Sequence, residues 1–279
     1  MRALIKNKFQ KTIWDFYAKN KRQFPWRPPT LSLRRAKGEL DPYRILVSEI
    51  MLQQTQVGRV VAKYEAFVRI FPNFRTLARA SLRDVLVLWQ GLGYNRRAIA
   101  LKKIAEIVEE KYKGALPESV EELDELPGIG EATASSIMAF AWNHPTVFIE
   151  TNIRRVFIHH FFKDKKKIRD EDILFLVEKT LPAKNFREWY YALMDYGAML
   201  KTEVPNPNRM SAHYAIQSKF KGSNREVRGG ILKFVADKRK TTLNELNELP
   251  FDVRMIEKNL EALVNEGFLR KNVETITIQ

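Results

Sequence analysis

A chain of 279 residues with 45% hydrophobic content can build a sizeable core and more than one domain, and its formal charge of +15 calls for a polyanionic partner. It has no cysteine, which excludes disulfides, thiolate nucleophiles, cysteine-based zinc sites and cysteine-ligated iron–sulfur clusters; with only four histidines no dedicated metal site is expected either. No apolar run approaches the ~20 residues that cross a bilayer, and the basic, amphipathic stretch from Met1 to Lys11 lacks a cleavable apolar core, so an intracellular protein of cytoplasm or nucleoid is expected.

Helical periodicity dominates from Asn7 to about Phe220, with apolar residues recurring at three and four in Ile45-Leu46-Val47…Ile50-Met51, in Val85 to Trp89 and from Ala98 to Val108. Breaks fall at Phe24-Pro25-Trp26-Arg27-Pro28-Pro29, Phe71-Pro72-Asn73, Gln90-Gly91-Leu92-Gly93, Leu116-Pro117, Leu126 to Gly130 and Asn143-His144-Pro145. Short connectors between many helices predict an all-α body without a repeat. The mixed charge run Lys163 to Asp172 reads as an exposed loop entering a helix capped by Asp170, and Lys221-Gly-Ser-Asn224 as a linker whose Ser or Asn caps the next helix. Beyond it, amphipathic helices are predicted over Glu226–Lys238, Thr242–Leu249 and Asp252–Glu266. An alternating hairpin over 267–278 follows, turning near Lys271-Asn272. Three helices and a β-wing describe a winged helix-turn-helix, a module that binds DNA or serves as a protein-contact platform. Residues 221–279 carry 11 Lys/Arg against 9 Asp/Glu, so about +13 of the charge belongs to residues 1–220, where the main electrostatic contact is expected.

Two segments carry chemistry. In Glu125-Leu-Pro-Gly-Ile-Gly-Glu-Ala-Thr-Ala-Ser-Ser136, Pro127 stops one helix, and Gly128 and Gly130 permit a tight turn. The next helix then opens with unpaired N–H groups suited to a phosphate, and an ordinary helix-to-helix turn is the plainer alternative. In Asp41-Pro-Tyr-Arg-Ile-Leu-Val-Ser-Glu-Ile-Met-Leu-Gln-Gln-Thr-Gln-Val57, the single carboxylate Glu49 stands in an apolar helix that ends in amides. Burial there would raise its pKa toward that of a general acid, whereas a solvent-facing position would leave it ordinary. Gln53, Gln54 and Gln56 suit base-edge hydrogen bonding.

Together with Phe24-Pro-Trp-Arg27, Pro42-Tyr-Arg44, Leu88-Trp-Gln-Gly-Leu-Gly-Tyr94 and Leu193-Met-Asp-Tyr-Gly-Ala198, these segments resemble the helix-hairpin-helix DNA glycosylases over residues 20–200, the MutY-type adenine glycosylases most of all. The resemblance implies two α-helical domains with a cleft that receives a flipped nucleotide, here residues 1–220, and the helix and strand pattern adds a winged-helix domain at 221–279. It implies Glu49 as the catalytic acid and Glu150, where the family usually has aspartate, as stabiliser of a sugar cation. It also implies Arg22, Phe24 and Trp26 around the flipped base, with Gln54, Tyr94, Gly128, Gly130, Thr133 and Asn152 on DNA. Ala132 stands where bifunctional relatives place a Schiff-base lysine, which implies a monofunctional enzyme.

Two departures matter. The family's four-cysteine loop is replaced by Met199 to His213, with Lys201, Asn208, Ser211 and Gln217 at the ligand positions; no iron–sulfur cluster can form, no cofactor is expected, and a monovalent cation at the hairpin is the remaining candidate. Ordinary packing must hold that loop, with Lys201, Arg209 and His213 as candidate phosphate contacts. The Nudix-like domain that reads 8-oxoguanine is absent from these residues. The expected activity is removal of adenine opposite 8-oxoguanine or guanine from double-stranded DNA by a monomer, with the winged helix as a candidate protein contact. The alternatives are a thymine or uracil mismatch glycosylase and a non-catalytic DNA-binding protein.

Overall fold

The computed structural model describes residues 3–27, 40–162 and 165–279. The Pro28-Pro29 break and the Lys163-Asp164 start of the charge run lie outside them. The described chain is mostly helical and divides into two compact units, residues 1–49 with 117–216 and residues 50–116 with 217–279. The division falls inside one helix. Residues 221–279 belong with 50–116 rather than standing as a body of their own.

The first unit contains α1 (Ala3–Asn20), most of α2 (Pro42–Leu52), α7 (Val120–Asp124), α8 (Glu131–Ile137), α9 (Thr151–Phe161), α10 (Asp170–Thr180) and α11 (Phe186–Glu203). Its core gathers Ile13, Phe157, Trp189 and Tyr190, each fully buried. α9 lies against α11 at Gly197, where a Cβ would stand 2.4 Å from the Asn152 carbonyl oxygen; only glycine allows that approach. After α8 the backbone widens into one π-helical turn, Met138–Trp142, closed by Asn143 in the left-handed region at φ 63°. Buried Arg187 holds that turn, donating to the carbonyls of Phe140 and Ala141, while the Asn143 side chain accepts from its backbone N–H at 2.9 Å. Nothing in the sequence periodicity distinguishes such a turn from the helix before it.

α10 is not capped as the sequence suggests. Arg169 holds the cap position without a side-chain bond, and Asp170 instead forms a two-point ion pair with Arg154 at 2.8 and 2.6 Å, a geometry stronger than a solvent-exposed cap. The loop at the family's cluster position is held by ordinary packing. A 3-10 turn at Pro207–Met210 buries Asn208, whose Nδ2 donates to the Thr151 carbonyl at 3.0 Å, and Ile168 pairs with the segment through Met210 and Ala212 at 2.9 and 2.8 Å.

The second unit contains α3 (Val57–Ile70), α4 (Phe74–Arg79), α5 (Leu82–Trp89) and α6 (Arg96–Lys111), then α12 (Asn224–Lys238), β1 (Lys240–Thr241), α13 (Leu243–Leu246), α14 (Val253–Asn265), β2 (Leu269–Lys271) and β3 (Ile276–Ile278). Phe67, Leu77, Trp89 and Ile104 fill its helical core. Asn73 and Thr76 close a reciprocal cap that starts α4, and Thr242 and Glu245 do the same for α13. The strands form an antiparallel sheet of order β1-β3-β2. The hairpin loop runs from Asn272 to Thr275, bonded end to end at 2.8 Å, and the two-residue β1 is too short to register as alternation. Ser223 stands at the N-cap of α12, but its hydroxyl donates back to the Phe220 carbonyl at 2.6 Å instead of capping the helix. The C-terminal segment is tied to α5 and α6 by Arg83 donating to the Ala236 carbonyl at 2.8 Å and by Arg96 and Arg228 converging on Glu266.

Candidate active site

Asp41 opens α2 by accepting the Tyr43 N–H at 3.0 Å, with Pro42 as first helical residue. The helix buries Tyr43, Ile45, Leu46, Val47, Ile50 and Met51, and Glu49 is its one carboxylate, with Arg44 and Ser48 its other polar side chains. Part of Glu49 still reaches solvent, yet protein surrounds the carboxyl on most sides. Desolvation pushes its pKa up to about 7. The charge of Glu150 adds to the rise, while a hydrogen bond from Ser136 and the charge of Arg27 oppose it. The Ser136 Oγ lies 2.6 Å from Glu49 Oε2 and 2.9 Å from the Thr133 carbonyl, so its one proton serves one acceptor at a time.

Glu150 is built differently. It is the N-cap of α9, where Oε1 accepts the backbone N–H groups of Asn152 and Ile153 at 2.8 and 2.9 Å and Oε2 accepts from Asn152 Nδ2 at 3.1 Å. Burial raises its pKa, but those donors and the Arg155 charge pull the other way. Arg155, itself buried, bridges the Asn152 Oδ1 at 2.8 Å and the Gly197 carbonyl at 2.6 Å. Asn152, expected on DNA, thus has its side chain committed to Glu150 and Arg155. The close approach at Gly197 and the bond from Asn208 to Thr151 fix the start of α9 from two further sides.

The three residues expected at the base pocket occur together. Phe24 and Trp26 stack with centroids 5.1 Å apart, and the Arg22 guanidinium lies 5.1 Å from the Phe24 ring centroid. Arg22 is anchored on buried Asp195 through Nε at 2.7 Å and its backbone N–H at 3.0 Å. Sequence reasoning missed the residue beside them. Arg27 is 5% exposed, shares Asp195 Oδ1 at 2.8 Å and sits 4.1 Å from the Tyr191 ring centroid, close enough to Glu49 to lower its pKa. Tyr191 is also buried beside Glu49, and its hydroxyl has no hydrogen-bond partner among the described residues. Its offset from Asp195, four residues along α11, is the signal that put it on the same face. Ser136 reads in the sequence only as a small helix former.

In the hairpin, Gly128 takes φ 79°, and Gly130 caps α8 in extended conformation without a side-chain cap; Thr133 lies in the first turn. Gln54 and Tyr94 belong to the second unit, both in the left-handed region at φ 53° and 48°, a backbone state uncommon for residues other than glycine. Among the described residues no group of three metal-ligating side chains occurs, and no helix is long and apolar enough to cross a membrane.

Residues 47–182 match the family model described as HhH-GPD superfamily base excision DNA repair protein. An adenine DNA glycosylase of Buchnera aphidicola subsp. Baizongia pistaciae is 35% identical over 194 residues, 69% of this chain and 52% of its own length. The human adenine DNA glycosylase is 39% identical over 153 residues, 53% of this chain and 27% of its own. Among solved structures, a thermostable thymine-DNA glycosylase superposes with a TM-score of 0.61 at 25% identity, covering 73% of this chain and 91% of that one. The chain spans about half the length of the Buchnera relatives it matches.

Proposed function

From a chain that belongs to the HhH-GPD superfamily of base excision DNA repair proteins, we propose a monofunctional DNA N-glycosylase that removes adenine mispaired with 8-oxoguanine or guanine and leaves an abasic site. The observation that carries the reading is the carboxyl pair. Burial pushes both carboxyls up, Glu49 to about 7 with a single hydroxyl donor, whereas at Glu150 two backbone donors, an amide and a guanidinium oppose the rise. The donors at Glu150 favour its charged form, and the proton of the pair is assigned to Glu49. Glu49 gives it to a ring nitrogen of the departing base as the glycosidic bond breaks, and the electron pair of that bond leaves with the base. Glu150, ionised, stabilises the positive charge that develops on the sugar. Glu49, now a carboxylate, accepts a proton from the water that adds to the sugar, which returns the site to its starting state.

Arg22 and Phe24 form the wall against which the extruded base packs, with Trp26, 5% exposed, buried behind Phe24, and this packing offsets part of the unstacking cost. Gly128 and Gly130 with the first turn of α8, including Thr133, anchor a phosphate, and a hairpin-bound monovalent cation would act there too. Ala132 offers no amine, so no Schiff base forms and strand cleavage awaits alkali. Residues 221–279 are a winged helix that serves DNA or a protein partner. The chemistry runs through two carboxylates and a water.

One observation favours a second reading, removal of thymine opposite guanine: the likeness to a thymine-DNA glycosylase extends over 91% of that protein. Single-turnover assays on duplexes carrying A opposite 8-oxoguanine, A opposite G and T opposite G, each read with and without alkali, decide between them. Alkali-dependent breaks in the adenine strands are expected. Breaks confined to the thymine strand would establish the second reading, and none anywhere would overturn both.

A further inference from the structure

Within the second unit a cavity of about 840 Å³ opens between residues 53–97 and residues 217–251. That volume falls in the ~300–1,000 Å³ range of small-molecule sites. Six arginines and lysines line it against one carboxylate, Glu226. Arg96 and Arg228 share the single carboxylate of Glu266, whereas Arg59, Arg225 and Lys233 have no carboxylate partner among the described residues. Tyr94 and Phe220, both on the lining, are 38% and 60% exposed, leaving two aromatic faces for a planar ligand. Gln90 lines the cavity with its Nε2 buried and without a hydrogen-bond partner among the described residues.

The lining is built to hold a shape. Gln54 and Tyr94 keep left-handed backbones in two separate loops, a strain that persists only when the surroundings enforce it. Buried Arg97 enforces it, its Nη1 donating to the carbonyls of Ile50, Met51 and Gln53 at 2.8, 2.9 and 2.6 Å and its Nη2 to that of Gly93 at 2.9 Å. Opposite them α12 carries two adjacent glycines in mid-helix, where glycine is destabilising relative to alanine. Gly230 is explained by Phe251, whose ring a Cβ would strike at 2.5 Å. Gly229 is not explained by packing, since a Cβ there would meet nothing within 4 Å, and it too lines the cavity. What it leaves is room.

We propose that this cavity is a second nucleotide pocket, which takes one nucleobase of the bound duplex with its phosphate, separately from the nucleotide attacked at Glu49. Cations without a carboxylate partner, Arg59 held by the Gly91 carbonyl and Arg225 by Ser218, suit the phosphate, lining amides suit a base edge and the aromatic faces suit stacking. The proposal rests on DNA being the ligand of this chain. Its test reads binding rather than excision, so its failure and the failure of the glycosylase reading are distinct outcomes.

The test fills the space without removing a contact. In Glu49→Gln protein, which binds without turnover, Gly229→Leu is expected to keep or raise the melting temperature and to weaken binding of a labelled duplex carrying A opposite 8-oxoguanine by about tenfold or more. Lys233→Ala is expected to reduce the slope of log affinity on log salt by about 1. Saturation-transfer NMR with free dGMP and with inorganic phosphate tells base from anion. Transfer to the dGMP base protons, lost in Gly229→Leu, supports the pocket; equal competition by inorganic phosphate would reduce it to an anion site and overturn the nucleobase assignment. Unchanged duplex affinity in a folded Gly229→Leu protein would overturn the proposal outright.

Discussion

Glu49 and Glu150 are the same residue in two surroundings, and the difference lies in which form of the carboxyl each surrounding favours. Burial acts on both carboxyls and each feels a guanidinium, Arg27 for Glu49 and Arg155 for Glu150; around Glu49 the chain adds a nearby like charge and one hydroxyl, around Glu150 a helix N-terminus and an amide. Burial alone would make both of them neutral acids. The donors at the start of α9 favour the charged form of Glu150, whereas at α2 a single hydroxyl and the Arg27 charge oppose the burial that raises Glu49 to about 7.

Removing the acid tests the comparison most severely. Glu49→Gln is expected to lower single-turnover excision by at least ~10³-fold, within the range for a general acid that also serves the water, with duplex binding retained. The same variant should be the more stable protein in alkali. A carboxyl whose folded pKa of about 7 exceeds the ordinary 4.5 costs nothing below pH 4.5 and an increasing amount as pH rises to 7. Above pH 7 the wild type therefore lacks on the order of 3 kcal/mol that glutamine keeps. Urea unfolding at pH 5 and pH 8 measures it; equal wild-type and variant stabilities at pH 8 would mean that Glu49 is not desolvated.

Replacing the partner separates charge from capping. Glu150→Gln keeps an oxygen to accept the Asn152 and Ile153 N–H groups and should fold normally while excising about 10²-fold more slowly. Glu150→Ala should lose the same rate and also ~1 kcal/mol of stability, the worth of an N-cap. If the glutamine variant kept wild-type rates, Glu150 would be a cap and nothing more.

This asymmetry is only half legible in the sequence. Glu49 stands out because one carboxylate interrupts an apolar helix, and the hairpin because its glycines and proline punctuate the helical period. Arg27 and Ser136 give no such sign: each acts through a side chain from another element, and single-chain periodicity says nothing about which elements meet. Asn152 reads as a DNA contact, but an amide beside a helix start serves the interior equally well. In the C-terminal segment and at α10 helix existence is legible and the caps are not, since Ser223 and Asp170 find better partners than the caps their positions offer.

The scaffold that holds Glu150 is the next place to break the comparison. Gly197→Ala puts a methyl 2.4 Å from the Asn152 carbonyl oxygen, against backbone that cannot swing aside. Parting α9 from α11 should cost ~1–3 kcal/mol. Excision should fall with the displacement of Glu150, by less than in Glu150→Gln, while the pH dependence set by Glu49 stays put. A melting temperature within error of wild type would contradict that close packing.

The smallest effect is the sharpest, because it changes only the environment of Glu49. Ser136→Ala removes the hydroxyl that favours the charged carboxylate, and a charge-assisted hydrogen bond of ~1.5 kcal/mol corresponds to about one pH unit. On the proposed mechanism excision uses protonated Glu49, so the rate should hold below the pKa and fall as pH rises through it. In the variant this fall should move upward from near 7 by up to about one unit. At pH 7 the variant would then be slightly faster than the wild type, at pH 5 indistinguishable from it. A merely structural serine would lower the plateau and leave the limb in place. An unmoved limb with an unchanged plateau would mean that the Ser136 proton rests on the Thr133 carbonyl, with Glu49 tuned by burial and by the charges of Glu150 and Arg27.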